Sequence, residues 1–160
     1  MSGNRGLANQ ALFQARILLA GWEHCAEGQL RSADQLSAAF RPAVLFHLGN
    51  AYGWFLLAVA GLDTEPDPMA LPREAGAVPE PPPGRTVAPE LREFALLERD
   101  GWLGDMLTAG QATASMSTRA SATQGLLGSD RQPPGIGDFQ RWCDALEQVM
   151  HRMDDSLDEC

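Results

Sequence analysis

The feature that most constrains the fold is the stretch Val44–Leu62, which is apolar over nearly all of its 19 residues. A segment of that length can either cross a bilayer or form the central helix of a soluble bundle. The polar residues His47, Asn50 and Tyr52 interrupt it, and no basic cluster flanks it. The pattern therefore favours the central helix of a soluble bundle, and we expect no membrane partner.

The composition predicts that the rest of the chain is helical as well. The sequence holds 23 Ala and 21 Leu but only 5 Val and 2 Ile. Alanine and leucine lose little conformational freedom in a helix, whereas strands are rich in β-branched residues. A chain of 160 residues is the size of one ordinary domain. We predict a single all-α domain over residues 1–160, a bundle of four to five helices, which excludes sandwiches, barrels and doubly wound sheets.

Helix signals divide the chain into five segments, predicted at residues 7–27, 33–61, 89–100, 102–112 and 138–158. The first carries an apolar stripe at spacings of three and four, made of Leu12, Ala15, Leu19, Trp22 and Ala26. Gly28 ends it, and Ser32 with Gln35 matches a capping box at the start of the second helix. The connection has about four residues, which predicts an antiparallel hairpin of the first two helices.

Three residues inside the second helix predict local irregularity or unusually close packing. Pro42 removes one amide and crowds the preceding turn, so we expect a kink near it or a restart of the helix there. Gly49 and Gly53 lie four residues apart on one face. This spacing predicts the close approach of a neighbouring helix at a cost in helix propensity.

Two segments are predicted to be loops. Residues 63–88 hold seven of the eleven prolines, which favours a stiff Pro-rich connector over a PxxP-type peptide ligand. Residues 113–137 are rich in Ser, Thr, Gly and Pro and are predicted to form a long loop. Leu126 and Leu127 are expected to anchor this second loop to the core.

The last helix has the most regular apolar stripe in the chain. Asp138 is its predicted N-cap, and the stripe consists of Phe139, Trp142, Leu146, Val149, Met153 and Leu157. Such a stripe can close a bundle or form a dimer seam. The four tryptophans lie in four different predicted helices, which favours convergence in a core over an aromatic ligand box.

Charge and cysteines limit the partners and the compartment. The chain has a net charge of −9, and its 12 basic residues are all arginine. An acidic chain repels polyphosphate, so we expect no nucleic-acid partner. The three cysteines include no CxxC pair, which predicts reduced thiols, no metal site and no cofactor. The N-terminus lacks an apolar secretory segment, and we expect a cytoplasmic location.

Two segments carry a family resemblance. Asn9, Leu12 and Ala15 form an Asn-x-x-Leu-x-x-Ala pattern within residues 9–19, and Phe46-His47-Leu48 follows within residues 41–48. Together they resemble an uncharacterised family of short, helical proteobacterial proteins that is known as a domain of unknown function. The resemblance covers about half of the chain and implies a bacterial, all-helical protein without a known activity. Pro42 departs from the uninterrupted second helix that the resemblance implies.

One pair of residues resembles a catalytic motif. Arg41 and His47 have the Arg-x(4–6)-His spacing of HEPN-type ribonucleases, in which a histidine acts as acid or base beside an arginine that steadies phosphate. On a straight helix, however, six residues turn by about 600°, which leaves the two side chains about 120° apart. The acidic charge also opposes RNA binding. A metal-independent ribonuclease is therefore one alternative.

A second set of candidates lies further along the same helix. His47, Asn50 and Trp54 share one face and predict either hydrogen bonds to other helices, which we favour, or the lining of a small ligand pocket. No paired-carboxylate, Ser-His-Asp, Walker or dinucleotide motif accompanies them. The leading hypothesis is a non-enzymatic helical module for protein–protein contact, with self-association as a homodimer first. A small-ligand-binding bundle is the other alternative.

Overall fold

The computed structural model describes residues 3–119 and 132–158, and within these ranges it contains helices and no strand. The helices are α1 (Gly3–Glu27), α2 (Ala33–Val59), α3 (Pro89–Asp100), α4 (Trp102–Arg119) and α5 (Ile136–Asp158). Two short 3-10 turns, Pro68–Ala70 and Ala75–Ala77, lie in the connector between α2 and α3. The all-α prediction is confirmed.

The helices α1 and α2 form the predicted N-terminal hairpin. Ser32 Oγ accepts from the Gln35 amide and the Gln35 side chain accepts from the Ser32 amide, both at 3.3 Å, so the capping box is present. Near the turn, the rings of Trp22 and Phe40 stack at 6.0 Å between centroids. At the open end, Asn4 Nδ2 donates to the carbonyl of Leu62 at 2.5 Å. These two contacts fix the antiparallel register.

Helix α2 is the core helix, and it continues through Pro42 without a restart. The restart that we allowed for is therefore wrong. Phe40 before the proline and Val44 after it both pack into the hydrophobic core, so packing on either side offsets the one hydrogen bond that proline removes. By length and composition α2 meets the requirement for a membrane span, but 61% of its most apolar window is buried inside the fold. A non-membrane helix stays our prediction.

The glycines of α2 contact the Pro-rich connector, not a neighbouring helix. A Cβ at Gly53 would lie 2.8 Å from the carbonyl oxygen of Pro72 and 2.9 Å from Cβ of Leu71. A Cβ at Gly49 would lie 2.6 Å from Nη1 of Arg73. The predicted close approach is observed, but the partner is irregular chain. Sequence spacing cannot distinguish the two, because either kind of backbone needs the same room.

Alanine substitutions at these two glycines should have different effects. Gly53→Ala should lower the free energy of unfolding by about 1–2 kcal/mol, because the new methyl meets backbone that has to move. Gly49→Ala should leave stability within about 0.5 kcal/mol of wild type or raise it slightly, since a guanidinium can swing aside and alanine favours the helix. Urea denaturation of both variants measures the difference. Equal losses at both positions would contradict this account of the connector.

Helix α4 is longer than predicted and follows α3 after a sharp corner at Gly101. It continues to Arg119, so residues 113–119 are helix and the prediction of a loop there is wrong. Thr113 Oγ1 accommodates the helix by donating to the carbonyl of Ala109 at 3.0 Å, and Ser and Thr are turn formers only when they bond elsewhere. Residues 120–131, including the predicted anchor Leu126–Leu127, lie outside the described residues.

Helix α5 closes the bundle against the hairpin. It begins two residues before the predicted N-cap, and Asp138 instead accepts from the Gly135 amide at 2.9 Å from within the first turn. The buried side chains of α5 are Phe139, Trp142, Cys143, Leu146, Met150 and Met153. Between ring centroids, Phe139 lies 5.7 Å from Trp22 of α1 and 5.2 Å from Trp142 of α5 itself. These aromatic contacts join α5 to the hairpin.

Candidate functional site

His47, Asn50 and Trp54 lie at the interface of the two hairpin helices. Phe40, His47 and Trp54 recur every seven residues, so they share one face of α2, and the Trp22–Phe40 stack shows that this face points toward α1. Asn50 and Trp54 are only 6% and 7% exposed. Within the described residues, the three candidate side chains therefore lie on one face of α2 that packs toward α1.

Two polar atoms on this face lack hydrogen-bond partners among the described residues. They are Nδ1 of His47 and Oδ1 of Asn50, both buried. Burial also lowers the pKa of His47, which keeps the ring neutral at neutral pH. The hydrogen bonds to other helices that we favoured for these two atoms are not found among the described residues. The His47 ring instead meets the Phe46 ring edge-on at 5.4 Å between centroids.

Three surface cavities lie away from these residues in the described structure. Three cavities of about 440, 280 and 480 Å³ run along the Pro-rich connector, and none of them is lined by His47, Asn50 or Trp54. A ligand pocket usually combines an enclosed apolar cavity with a few converging polar groups. The small-ligand hypothesis for these three residues therefore gains no support from these cavities.

Arg41 and His47 do not form a joint site. The Arg41 guanidinium donates to Ser37 Oγ, one turn toward the start of the helix, and its Nε is buried without a partner among the described residues. Because α2 is uninterrupted, His47 stays about 9 Å further along the axis and about 120° around it. A histidine and an arginine that share one phosphate have to converge on it. The ribonuclease hypothesis gains no support from this arrangement.

A buried polar cluster that the sequence did not reveal joins the connector to the core. The hydroxyl of Tyr52 donates to Glu98 Oε1 at 2.6 Å, and the amide of Ala75 donates to the same oxygen at 2.7 Å. Burial raises the pKa of Tyr52, and the nearby Glu98 raises it further. The tyrosine is fully buried and stays protonated, so the cluster fixes the connector and α3 to α2 and offers no reactive group.

The buried thiol of Cys143 is unsuited to nucleophilic chemistry. Cys25 and Cys143 are both free thiols. Burial raises the pKa of Cys143 to about 11, so its reactive thiolate form is rare at neutral pH. Among the described residues, no group of three His, Cys, Asp or Glu side chains is placed to hold a metal ion.

The most unusual surface is the middle of the outer side of the hairpin, where the exposed residues carry no charge; Glu27 and Asp34 are exposed beyond it, near the turn. We call this the hairpin face. On α1 it consists of Gly3, Gly6, Asn9, Gln10, Phe13, Gln14, Ile17 and Ala20, and on α2 of Gln35, Ala38, Ala39, Pro42 and Phe46. Charged residues make up 21% of the chain, so an uncharged surface of this size is unexpected. Three large apolar side chains are exposed in it, Phe13 at 63%, Ile17 at 55% and Phe46 at 43%.

The fold explains why the hairpin face is uncharged. The two arginines of α1 turn away from it toward α5, where Arg5 pairs with Asp154 at 2.8 Å and Arg16 with Glu147 at 2.5 Å. Phe13 and Ile17 are one turn apart. The register of the hairpin places Phe46 opposite about residues 16–20 of α1, at the same level as Ile17.

The hairpin face was not predicted from the sequence. One signal was available: Phe13 and Ile17 are four residues apart and lie outside the apolar stripe that we assigned to the core. The helix period was a second signal, because at about 100° per residue it places Arg5 and Arg16 about 60–120° around α1 from Phe13 and Ile17.

The family model described as "Family of unknown function (DUF6586)" matches residues 1–160, and the chain belongs to that family. This confirms the resemblance to an uncharacterised family and extends it from about half of the chain to all of it. No curated protein and no solved structure matches the chain.

Proposed function

We propose that this protein is a non-enzymatic helical module that self-associates as a homodimer through the hairpin face. The observation that carries the proposal is the exposure of Phe13 and Ile17 at the centre of an uncharged surface. Burying exposed apolar side chains is the main driving force of most protein association. Contiguous exposed apolar patches in soluble proteins commonly mark such contacts.

The net charge favours this face as the place where two copies meet. With a charge of −9, two copies repel each other wherever their charged surfaces face one another. Apart from the Gly3 end, where Glu65 Oε1 lies 3.3 Å from the position of a Cβ, the residues of the hairpin face bring no charges into contact, so the face reduces that repulsion and the cost of burying unpaired charge. Over Gly3–Ala20 it is about 27 Å long and, across two helices, about 20 Å wide. Its footprint of about 540 Å² is smaller than the roughly 800 Å² of surface that each partner buries in a standard interface, and corresponds to a small interface.

Charge substitution in the hairpin face should abolish the dimer. The variant Phe13→Glu/Ile17→Glu should weaken self-association at least about 100-fold, because each substitution removes an apolar anchor and buries a carboxylate. Sedimentation equilibrium at micromolar concentration should show a dimer for wild type and a monomer for the variant. Circular dichroism checks that the variant remains helical.

The matched control is Leu96→Glu on α3. Leu96 is also exposed, at 56%, but it lies outside the hairpin face, so this variant should dimerise like wild type. A strictly monomeric wild type would refute the proposal. A dimer that survives the double substitution would show that a different surface is used.

A cytoplasmic location belongs to the same proposal. The free thiols of Cys25 and Cys143 support it, since reduced cysteines are typical of reducing compartments.

A further inference from the structure

We propose that a groove between the Pro-rich connector and α3 is a docking site for a short acidic segment of another protein. Two of the cavities along the connector, of about 440 and 280 Å³, have Pro79, Pro81, Val87 and Leu91 in common. The two cavities therefore adjoin, and together we call them the connector groove. None of the described residues that line it belongs to the hairpin face, so this contact is additional to self-association.

The connector groove is lined mainly by apolar residues. Pro79 and Pro81 lie on the connector side, and Leu91 and Ala95 lie on the α3 side. Val87, just before α3, is 47% exposed, so apolar surface of the groove is open to water and its burial by a partner is favourable. Proline has no amide hydrogen to donate, so a partner is held here mainly through its side chains.

Two arginines in the connector groove have no partner in the described part of the chain. Arg85 lines the larger cavity and Arg92 the smaller one, and neither makes a hydrogen bond or an ion pair with a described residue. Every other described arginine side chain donates to a carboxylate, a hydroxyl or a carbonyl. The chain holds 21 acidic residues against 12 arginines, so two unpaired arginines in one groove point to a partner outside the chain.

The Arg85 guanidinium lies beside the carboxyl end of α2. A Cβ at Gly61, which also lines the groove, would lie 3.7 Å from Nη1 of Arg85. The negative end of the helix dipole stabilises a positive charge at this place. The hydrogen-bond donors of the guanidinium remain available there to a carboxylate of a partner.

Charge complementarity identifies the partner as acidic. Arginine binds a carboxylate through two parallel hydrogen bonds, and of the described residues that line the groove only Glu80 is acidic. A segment with carboxylates on both sides of an apolar residue can pair with both arginines and cover the apolar wall. The net charge of −9 repels such a segment, but at physiological salt charges are screened beyond about 8 Å, so the local arginines decide the contact.

The shape of the groove favours a peptide over a small molecule. Both cavities are open depressions of the surface, and neither is an enclosed chamber. Small ligands are usually bound in cavities that bury most of their surface. A peptide can fill an open groove with a few side chains and leave the rest of its backbone in water.

Selection from a random peptide library displayed on phage, with the full-length protein as the target, tests the proposal. The enriched sequences should include a group with carboxylates on both sides of an apolar residue. A fluorescently labelled copy of the most enriched peptide of this group is then measured by fluorescence anisotropy. It should bind Arg85→Glu/Arg92→Glu at least about 10-fold more weakly than wild type, because each substitution replaces an ion pair by repulsion.

Two further variants show whether the arginines act locally. Arg31→Glu/Arg141→Glu makes the same change in net charge at exposed residues outside the groove, and it should bind the peptide within about 2-fold of wild type because salt screens distant charges. Glu80→Gln should bind about 2–5-fold more tightly, since it removes the carboxylate that repels the peptide. Circular dichroism checks that each variant keeps its helices.

The proposal is overturned if no acidic peptide is enriched, or if both double variants weaken binding equally, which would be an effect of net charge alone. A peptide that binds Arg85→Glu/Arg92→Glu as tightly as wild type uses another surface and also overturns it. If that variant is monomeric by sedimentation equilibrium while wild type is a dimer, the groove holds a second copy and not a separate partner. The proposed self-association is tested independently, because Phe13→Glu/Ile17→Glu should lose the dimer and keep the peptide affinity of wild type.

Discussion

Replacing Phe94 by alanine should lower the free energy of unfolding by about 3–5 kcal/mol, the largest single effect that we expect in this protein. Phe94 is only 1% exposed. Its ring meets those of Tyr52 and Phe55 edge-on, at 5.7 and 5.8 Å between centroids. It is the buried aromatic anchor of α3, so the substitution leaves a cavity between α3 and the core helix and removes two aromatic contacts.

Urea denaturation followed by circular dichroism measures this loss, and two further variants qualify it. Phe94→Leu should cost less, since leucine refills much of the cavity. Leu96→Ala, two residues along the same helix but exposed, should stay within about 0.5 kcal/mol of wild type. If Phe94→Ala and Leu96→Ala had similar stabilities, α3 would not be packed on α2 as described.

The second large effect is expected at the corner between α3 and α4. A Cβ at Gly104 would lie only 2.1 Å from the carbonyl oxygen of Glu98, which is backbone and cannot rotate away. Gly104→Ala should therefore destabilise the protein by about 2–3 kcal/mol, because the corner has to open. Opening it also displaces Glu98 from the Tyr52 hydroxyl and the Ala75 amide.

Gly110→Ala is the matched control for this prediction because it changes the same residue type in the same helix. A Cβ at Gly110 would have nothing within 4 Å. Alanine there should raise stability by up to about 1 kcal/mol through its helix propensity alone. The two midpoints of urea denaturation should therefore shift in opposite directions. A stabilising Gly104→Ala would show that α3 and α4 do not meet at this corner.

The hairpin shows how much of the fold was predictable from sequence. Ser32, Gln35 and Gly28 give local signals whose meaning depends on a few neighbouring residues, and the structure confirms the capping box and places the end of α1 at Glu27. The end of α4 was not predictable in this way. Its Ser and Thr residues have weak local preferences, and their hydroxyls can bond within a helix as well as in a turn, as Thr113 does.

The candidate sites were less predictable than the fold. The periodicity of α2 placed His47, Asn50 and Trp54 on one face correctly, but it could not show which element covers that face. Nor could it show that Tyr52 and Glu98, 46 residues apart in the chain, share a hydrogen bond. Contacts between distant residues depend on how whole elements pack, and spacing along one helix carries no information about them.

The sequence alone determined that this chain is helical, where the first hairpin turns and which helix is central, because propensity, capping and apolar periodicity act over a few residues. Only the tertiary structure decided which helix the arginines of α1 meet. The arginines of α1 pair with carboxylates of α5, more than 100 residues away. That pairing places α5 along one flank of α1, and no local signal in the sequence could predict it because the partners are so far apart in the chain. Phe13 and Ile17 on the neighbouring side stay exposed, where a second copy can cover them.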